Sequence, residues 1–164
     1  MSLEKLQPDT ESCVPKKTGN HEKSVREEVR TIIRSQGLRA TNPRVEVLVV
    51  LHENARPMTH DQVMSNLPED TGDKASIWRL LADLSEHGVL RRMDLGDRVW
   101  RYELHDSCRS VTNDHPHLLC TDCGEAFCLP MLEVRDKDGA LPAQLQGTDF
   151  RIRIMGRCAE CVAH

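Results

Sequence analysis

Two Cys-x-x-Cys turns, Cys120 to Cys123 and Cys158 to Cys161, stand thirty-four residues apart and constrain this chain more than anything else in it. Each turn aims two thiolates at one ion, and two turns make a closed tetrahedral set of four sulfurs, the donor set of structural zinc. Gly124 follows the first pair and Gly156 precedes the second, each expected to relax the backbone beside a tight turn. The chain has seven cysteines, an odd number that suits metal ligands better than a disulfide framework. Four unconnected buried cysteines are the plainer reading. A thioredoxin-like redox pair would need a βαβ setting that this segment lacks.

The stretch "HPHLLCTDCGEAFC" also holds His115, His117 and Cys128. Side chains two apart on an extended segment share a face, so the two imidazoles are expected to point together. A strand returning from the knuckle would bring Cys128 back toward them. Glu103 and His105 repeat the two-apart spacing upstream. Such N, S and O donors predict a second metal site, distinct from the four-sulfur one.

Upstream the pattern is helical. Residues 1–22 are polar and aperiodic and read as a mobile tail in which Cys13 is incidental. Val25, Val29, Ile32 and Ile33 recur at helical spacing and stop at Gly37. Thr41 is placed to cap a second helix with Pro43 in its first turn and Val45, Leu48 and Val49 on one face. Thr59 is placed to cap a third, and "GDKASIWRLLADLSEHG" sets Ile77, Leu80, Leu81 and Leu84 on one stripe that ends at Gly88. Then "VLRRMDLGDRVWRYEL" reads as a β-hairpin. Short helices followed by a hairpin predict a winged helix-turn-helix domain over residues 23–102, whose last helix offers Lys74, Ser76, Trp78 and Arg79 to duplex DNA. The plainer reading buries Trp78 and leaves Arg79 as a solvated charge. Beyond a hinge at 103–110, residues 111–164 form a second, small α/β unit with strands near 117–120 and 150–155. The fold class is therefore α+β.

The net charge of −4 is no obstacle to DNA binding, because residues 24–101 carry twelve basic and twelve acidic side chains. The acidic excess lies in the last third, where a cation site is expected. No apolar run of about eighteen residues could span a membrane, and the N-terminus lacks the apolar core of a secretory signal, so a cytoplasmic location without a membrane partner is expected. Paired catalytic carboxylates, a phosphate loop and a deaminase-like His-x-Glu are all missing. The chain reads as a binding protein with no small-molecule substrate, not an enzyme.

Several ordered stretches resemble the ferric uptake regulator family of metal-responsive repressors: "GLRATNPRVEVL" at 37–48, "ASIWRLLADLSEHGVL" at 75–90, "HPHLLCTDCGE" at 115–125 and "GRCAEC" at 156–161. The resemblance covers 25–161. It implies a winged helix that binds an operator palindrome, a C-terminal dimerisation domain, and a hinge metal that sets the DNA-binding geometry of the homodimer. It implies structural Zn²⁺ on Cys120, Cys123, Cys158 and Cys161, a minor-groove contact from Arg39, and base reading by Trp78 and Arg79, with Trp78 standing where the family has tyrosine. Glu103, His115 and His117 match sensor-ligand positions. Where the family often has a histidine before the third helix this chain has Arg56-Pro57, with His60 the nearest substitute. Where the family commonly has a carboxylate, this chain has Cys128. The loop before His115 is about five residues longer than the family's, which leaves His105 and Cys108 open as further ligands. A thiolate softens the site away from Mn²⁺, so the regulatory ion is expected to be Zn²⁺ or Fe²⁺. Two other readings stay open: a thiol or peroxide redox sensor acting through Cys128 or Cys108, and a zinc-stabilised protein-interaction module that does not bind DNA.

Overall fold

The computed structural model describes residues 19–105, 116–129, 132, 146 and 153–163. Helix α1 (Gly19–Ser35) buries Val25, Val29, Ile32 and Ile33, the stripe expected from periodicity. Helix α2 (Asn42–Asn54) departs from a single apolar face, because every residue from Val45 to Leu51 is buried. It is the central helix, packed on α1, on α3 (His60–Asn66) and on strand β3 (Trp100–Leu104), and a helix surrounded in this way has no solvent side. Glu46 is thus drawn inside, where the Arg26 guanidinium donates to both of its oxygens at 2.6 and 3.0 Å.

Thr41 holds the N-cap position of α2 in extended backbone, but its side chain makes no capping hydrogen bond. Thr59 does cap α3: it accepts from the Gln62 N–H while the Gln62 side chain accepts from the Thr59 N–H, a reciprocal capping box. Helix α4 (Lys74–Glu86) starts on Asp73, whose carboxylate accepts from the Ser76 N–H, and buries Ile77, Leu81 and Leu84. At its end the chain reverses through Gly88, where φ of +69° is a left-handed conformation that costs glycine nothing.

Strands β2 (Leu90–Asp94) and β3 pair antiparallel as the expected wing. A two-residue strand, β1 (Met58–Thr59), adds to the other edge of β3 and gives a three-stranded sheet in the order β1-β3-β2. Helices and sheet enclose one aliphatic core, with Leu48, Met58, Val63, Leu81, Leu84 and Tyr102 among its members. This is a winged helix. Strand β3 continues through Leu104, so Glu103 belongs to the sheet; residues 106–110 of the expected hinge lie outside the described residues.

The second sheet joins β4 (His117–Cys120), β5 (Ala126–Cys128) and β6 (Ile154–Gly156) in the order β5-β4-β6, antiparallel on one side of β4 and parallel on the other. A short helix, α5 (Ala159–Ala163), follows.

Candidate metal centres and nucleic-acid interface

The four-sulfur centre is built at the end of the second sheet. Cys120 closes β4, and the chain turns through Gly124 (φ +71°), its N–H bonded to the Cys120 carbonyl, before the Cys120 N–H donates to the Glu125 carbonyl at 2.8 Å. Parallel pairing sets Gly156 beside Cys120, which delivers the second Cys-x-x-Cys turn to the first. Gly156 is an ordinary strand residue rather than a relaxed turn, and a side chain there would meet only Leu118 at normal contact distance. The sulfurs of Cys120, Cys123, Cys158 and Cys161 all lie within 4.8 Å of one another. The backbone N–H groups of Cys123 and then Cys158 draw the Cys120 thiol down to about 6, whereas hydrogen bonding to Cys158, ahead of burial, pushes Cys161 up to about 12. Four sulfurs this close form a donor set that a soft dication would fit, because the ion takes the place of the thiol protons. Outside the cluster, Arg157 donates to the Asp122 carboxylate at 2.6 Å and to the Cys161 carbonyl, bracing one turn against the other.

A second donor set lies where the two units meet. His117 and Cys128 are direct partners across the β4-β5 pair and so share a face. Glu103 reaches them from the wing sheet, with Oε2 3.3 Å from His117 Nε2 and 3.9 Å from Cys128 Sγ. The three ligand atoms lie within 4.8 Å of one another. Glu103 is 7% exposed, and its buried Oε1 makes no hydrogen bond, with Arg91 Nη1 3.9 Å away. A buried carboxylate oxygen without a donor, beside an imidazole and a thiol, fits a divalent ion of intermediate softness.

The remaining expected ligands are only partly described. His115 and Cys108 lie outside the described residues, as does Cys13. His105 ends the wing, with its N–H on the Val89 carbonyl at 3.0 Å, and is not among the three donors. His60 is not brought to them either. As the first residue of α3 it faces α4, with Nε2 3.1 Å from the Lys74 carbonyl and Nδ1 3.3 Å from the Asp61 carboxylate.

Three contacts that were not foreseen fasten the units beside this site. Arg56 and Glu125 form an ion pair, Gln62 Nε2 donates to the same carboxylate at 3.3 Å, and Arg101 Nη2 donates to the Gly124 carbonyl at 2.9 Å. Arg101 is 2% exposed and also grips Asp97 with two hydrogen bonds, which hold the Asp97 carboxyl below its ordinary range. The departure at Arg56 from the family pattern was the one signal pointing here.

The expected DNA face is assembled on α4. Lys74, Ser76, Trp78 and Arg79 are all exposed, Trp78 by 49%, and so is Arg39 in the connection before α2. The reading in which Trp78 is core is therefore excluded. Lys74 pairs with Asp61 at 2.7 Å, and Lys74 first, then His60, keeps the Asp61 carboxyl ionised below its usual range.

A winged helix joined to a small sheet by a cluster of metal donors agrees with the sequence comparison, in which the model of the Ferric uptake regulator family matches residues 35–153. The chain belongs to the ferric uptake regulator family. It is 29% identical over 117 residues to the ferric uptake regulation protein of Haemophilus ducreyi, across 68% of this chain and 72% of that one. The fold agrees with the crystal structure of the Vibrio cholerae ferric uptake regulator (TM-score 0.57, 23% identity, covering 79% of this chain and 98% of that one). It agrees equally with a zinc uptake regulator solved with zinc and DNA (TM-score 0.57, 20% identity, covering 90% and 97%). Ferric uptake regulator family members are metal-responsive transcriptional regulators and not enzymes, with DNA binding and metal dependence as family properties. Among the described residues no helix is long and apolar enough to cross a membrane.

Proposed function

We propose that this protein is a cytoplasmic repressor that binds an operator as a homodimer when its interdomain site is metallated. In this reading, residues 23–102 bind DNA through Arg39 and the exposed face of α4, and residues 111–164 dimerise. Cys120, Cys123, Cys158 and Cys161 would hold Zn²⁺ as a structural ion, which supplies cross-links that a small sheet lacks. Glu103, His117 and Cys128, joined by His115, would hold the regulatory ion, Zn²⁺ or Fe²⁺. The observation that carries the reading is the placement of Glu103 on the winged helix and of His117 and Cys128 on the second sheet, with their donor atoms within 4.8 Å. An ion bridging two units favours their closed arrangement only by as much as it binds that arrangement better than the open one.

The test strips the regulatory metal while leaving the structural zinc in place, then follows duplex binding during separate titrations with Zn²⁺, Fe²⁺ and Mn²⁺. Zn²⁺ or Fe²⁺ should restore binding at lower concentration than Mn²⁺. His117→Ala should keep one zinc per chain and the dimer, yet lose the metal response. An unchanged response in that variant would remove the proposed sensor site.

A further inference from the structure

The histidine that does not join the metal site contacts the DNA face instead. The His60 ring lies 5.5 Å from the Trp78 ring, centroid to centroid, at an interplanar angle of 55°, a tilted aromatic contact. The two residues differ sharply in exposure: His60 is 6% exposed and Trp78 is 49% exposed. The buried ring is also held through Nε2. A carbonyl can only accept, so Nε2 donates to the Lys74 carbonyl in the first turn of α4, while Nδ1 faces the Asp61 carboxylate on α3. Asp61 is in turn paired with the Lys74 ammonium, which closes a loop of contacts from α3 to α4 around the imidazole.

The chain's other exposed indole makes a useful contrast. Trp100, on the wing, has Arg92 over its ring at 4.3 Å, but Arg92 is itself exposed and sits on a long flexible side chain. Among the described residues, only Trp78 has a buried, hydrogen-bonded ring behind it. An exposed indole on a helix samples several rotamers, and a rigid neighbour that blocks some of them leaves the ring ordered before any ligand arrives.

We propose that His60 is a positioning residue for DNA recognition: its fixed ring holds the Trp78 indole at one angle on the outer face of α4, so that His60 governs sequence discrimination without touching DNA. The inference rests on the reading of α4 as the DNA-reading helix. It assigns His60 a role in operator choice and none in metal sensing. Loss of the ring should lower the affinity for a preferred sequence more than the affinity for arbitrary duplex, since phosphate contacts do not depend on the angle of one indole.

The experiment uses the full-length, zinc-loaded dimer in a Trp100→Phe background, where Trp78 is the sole tryptophan. A duplex enriched by this protein from a randomised pool serves as the preferred probe, and an unselected duplex of the same length as the reference. His60→Ala should cut the preferred-to-reference affinity ratio by roughly five- to tenfold and speed the anisotropy decay of Trp78 in the free protein, with metal affinity unchanged. His60→Gln keeps a donor toward the Lys74 carbonyl without a ring, so it stands in should His60→Ala unfold, and it should show the same two changes. His60→Phe keeps a ring and should recover part of the ratio. Trp78→Ala separates the two levels. If Trp78→Ala lowers the ratio while the His60 variants leave both ratio and anisotropy unchanged, the positioning role is wrong and the reading of α4 stands. If Trp78→Ala leaves the ratio untouched, Trp78 does not read DNA and the proposal falls with that reading. A loss of metal affinity in His60→Gln would return His60 to the sensor site and overturn the proposal.

Discussion

The winged helix and the second sheet are held together by different physics. The first encloses an aliphatic core in which Val29, Ile33, Leu48, Met58, Val63, Leu81 and Leu84 are essentially inaccessible. In the second, the described buried residues are Leu119, Cys120, Ala126 and Cys158, so half of them are thiols of the four-sulfur cluster. One unit is stabilised by removal of apolar surface from water; in the proposed reading the other relies on a donor set that an ion would complete. A chelator and a core truncation should therefore act on opposite halves of the same chain.

The largest expected effect comes from Cys120→Ser. Structural zinc in small domains contributes about 10 kcal/mol or more of apparent folding free energy, so the second sheet should lose its amide-exchange protection while α1 to α4 keep theirs. Full protection of both sheets in a zinc-free Cys120→Ser protein would abolish the contrast. The reciprocal change, Leu84→Ala, opens a cavity under α4 and should cost the winged helix roughly 2–5 kcal/mol in denaturant unfolding, with one zinc per chain retained by elemental analysis.

Smaller effects probe the seam between the units. Asp97→Asn deprives the buried Arg101 guanidinium of its anion and should cost about 1–2 kcal/mol, softened because water reaches the Asp97 side of the pair. The pH dependence follows from the same pair. Asp97 has its folded pKa depressed below the ordinary aspartate value of 3.8, chiefly by the hydrogen bond from Arg101, so its contribution is complete above that value. The contribution is lost as pH falls from there through the depressed folded value, and the asparagine variant should lack this part of the acid sensitivity. An acid profile identical to that of the parent would show that Asp97 does not titrate with folding. Smallest of all, Thr59→Ala removes the capping box of α3 and should lower winged-helix stability by about 1 kcal/mol without altering zinc retention.

The helices were legible because each carries its own local signal: an apolar stripe in α1 and α4, and a capping residue at Thr59. The four-sulfur cluster was legible for the same reason, since Cys-x-x-Cys spacing is a local geometric statement. Cys128 could be placed near His117 because a tight knuckle fixes where the returning strand runs, and the His117 to Cys128 register agrees. What could not be read depends on tertiary direction. Strand β1 is two residues long and exists only because β3 offers an edge, and the all-round burial of α2 comes from neighbours remote in sequence. His60 looked like a ligand by proximity along the chain, but the start of α3 aims it at α4. The pairings of Arg56 with Glu125 and of Arg101 with Gly124 cross between the two units, and no periodicity encodes them.

Strand β4 is four residues long, with His117 at one end and Cys120 at the other. At about 3.3 Å per residue, the backbone positions of one donor from each candidate set stand only about 10 Å apart on a single strand. A slip of one residue between β4 and β5 would turn Cys128 to the opposite face from His117. If the four thiols hold an ion as proposed, that ion would clamp the knuckle from which β5 returns, and so help keep His117 and Cys128 on the same face as Glu103. On that reading, one ion would build the part of the chain with which it reports on another.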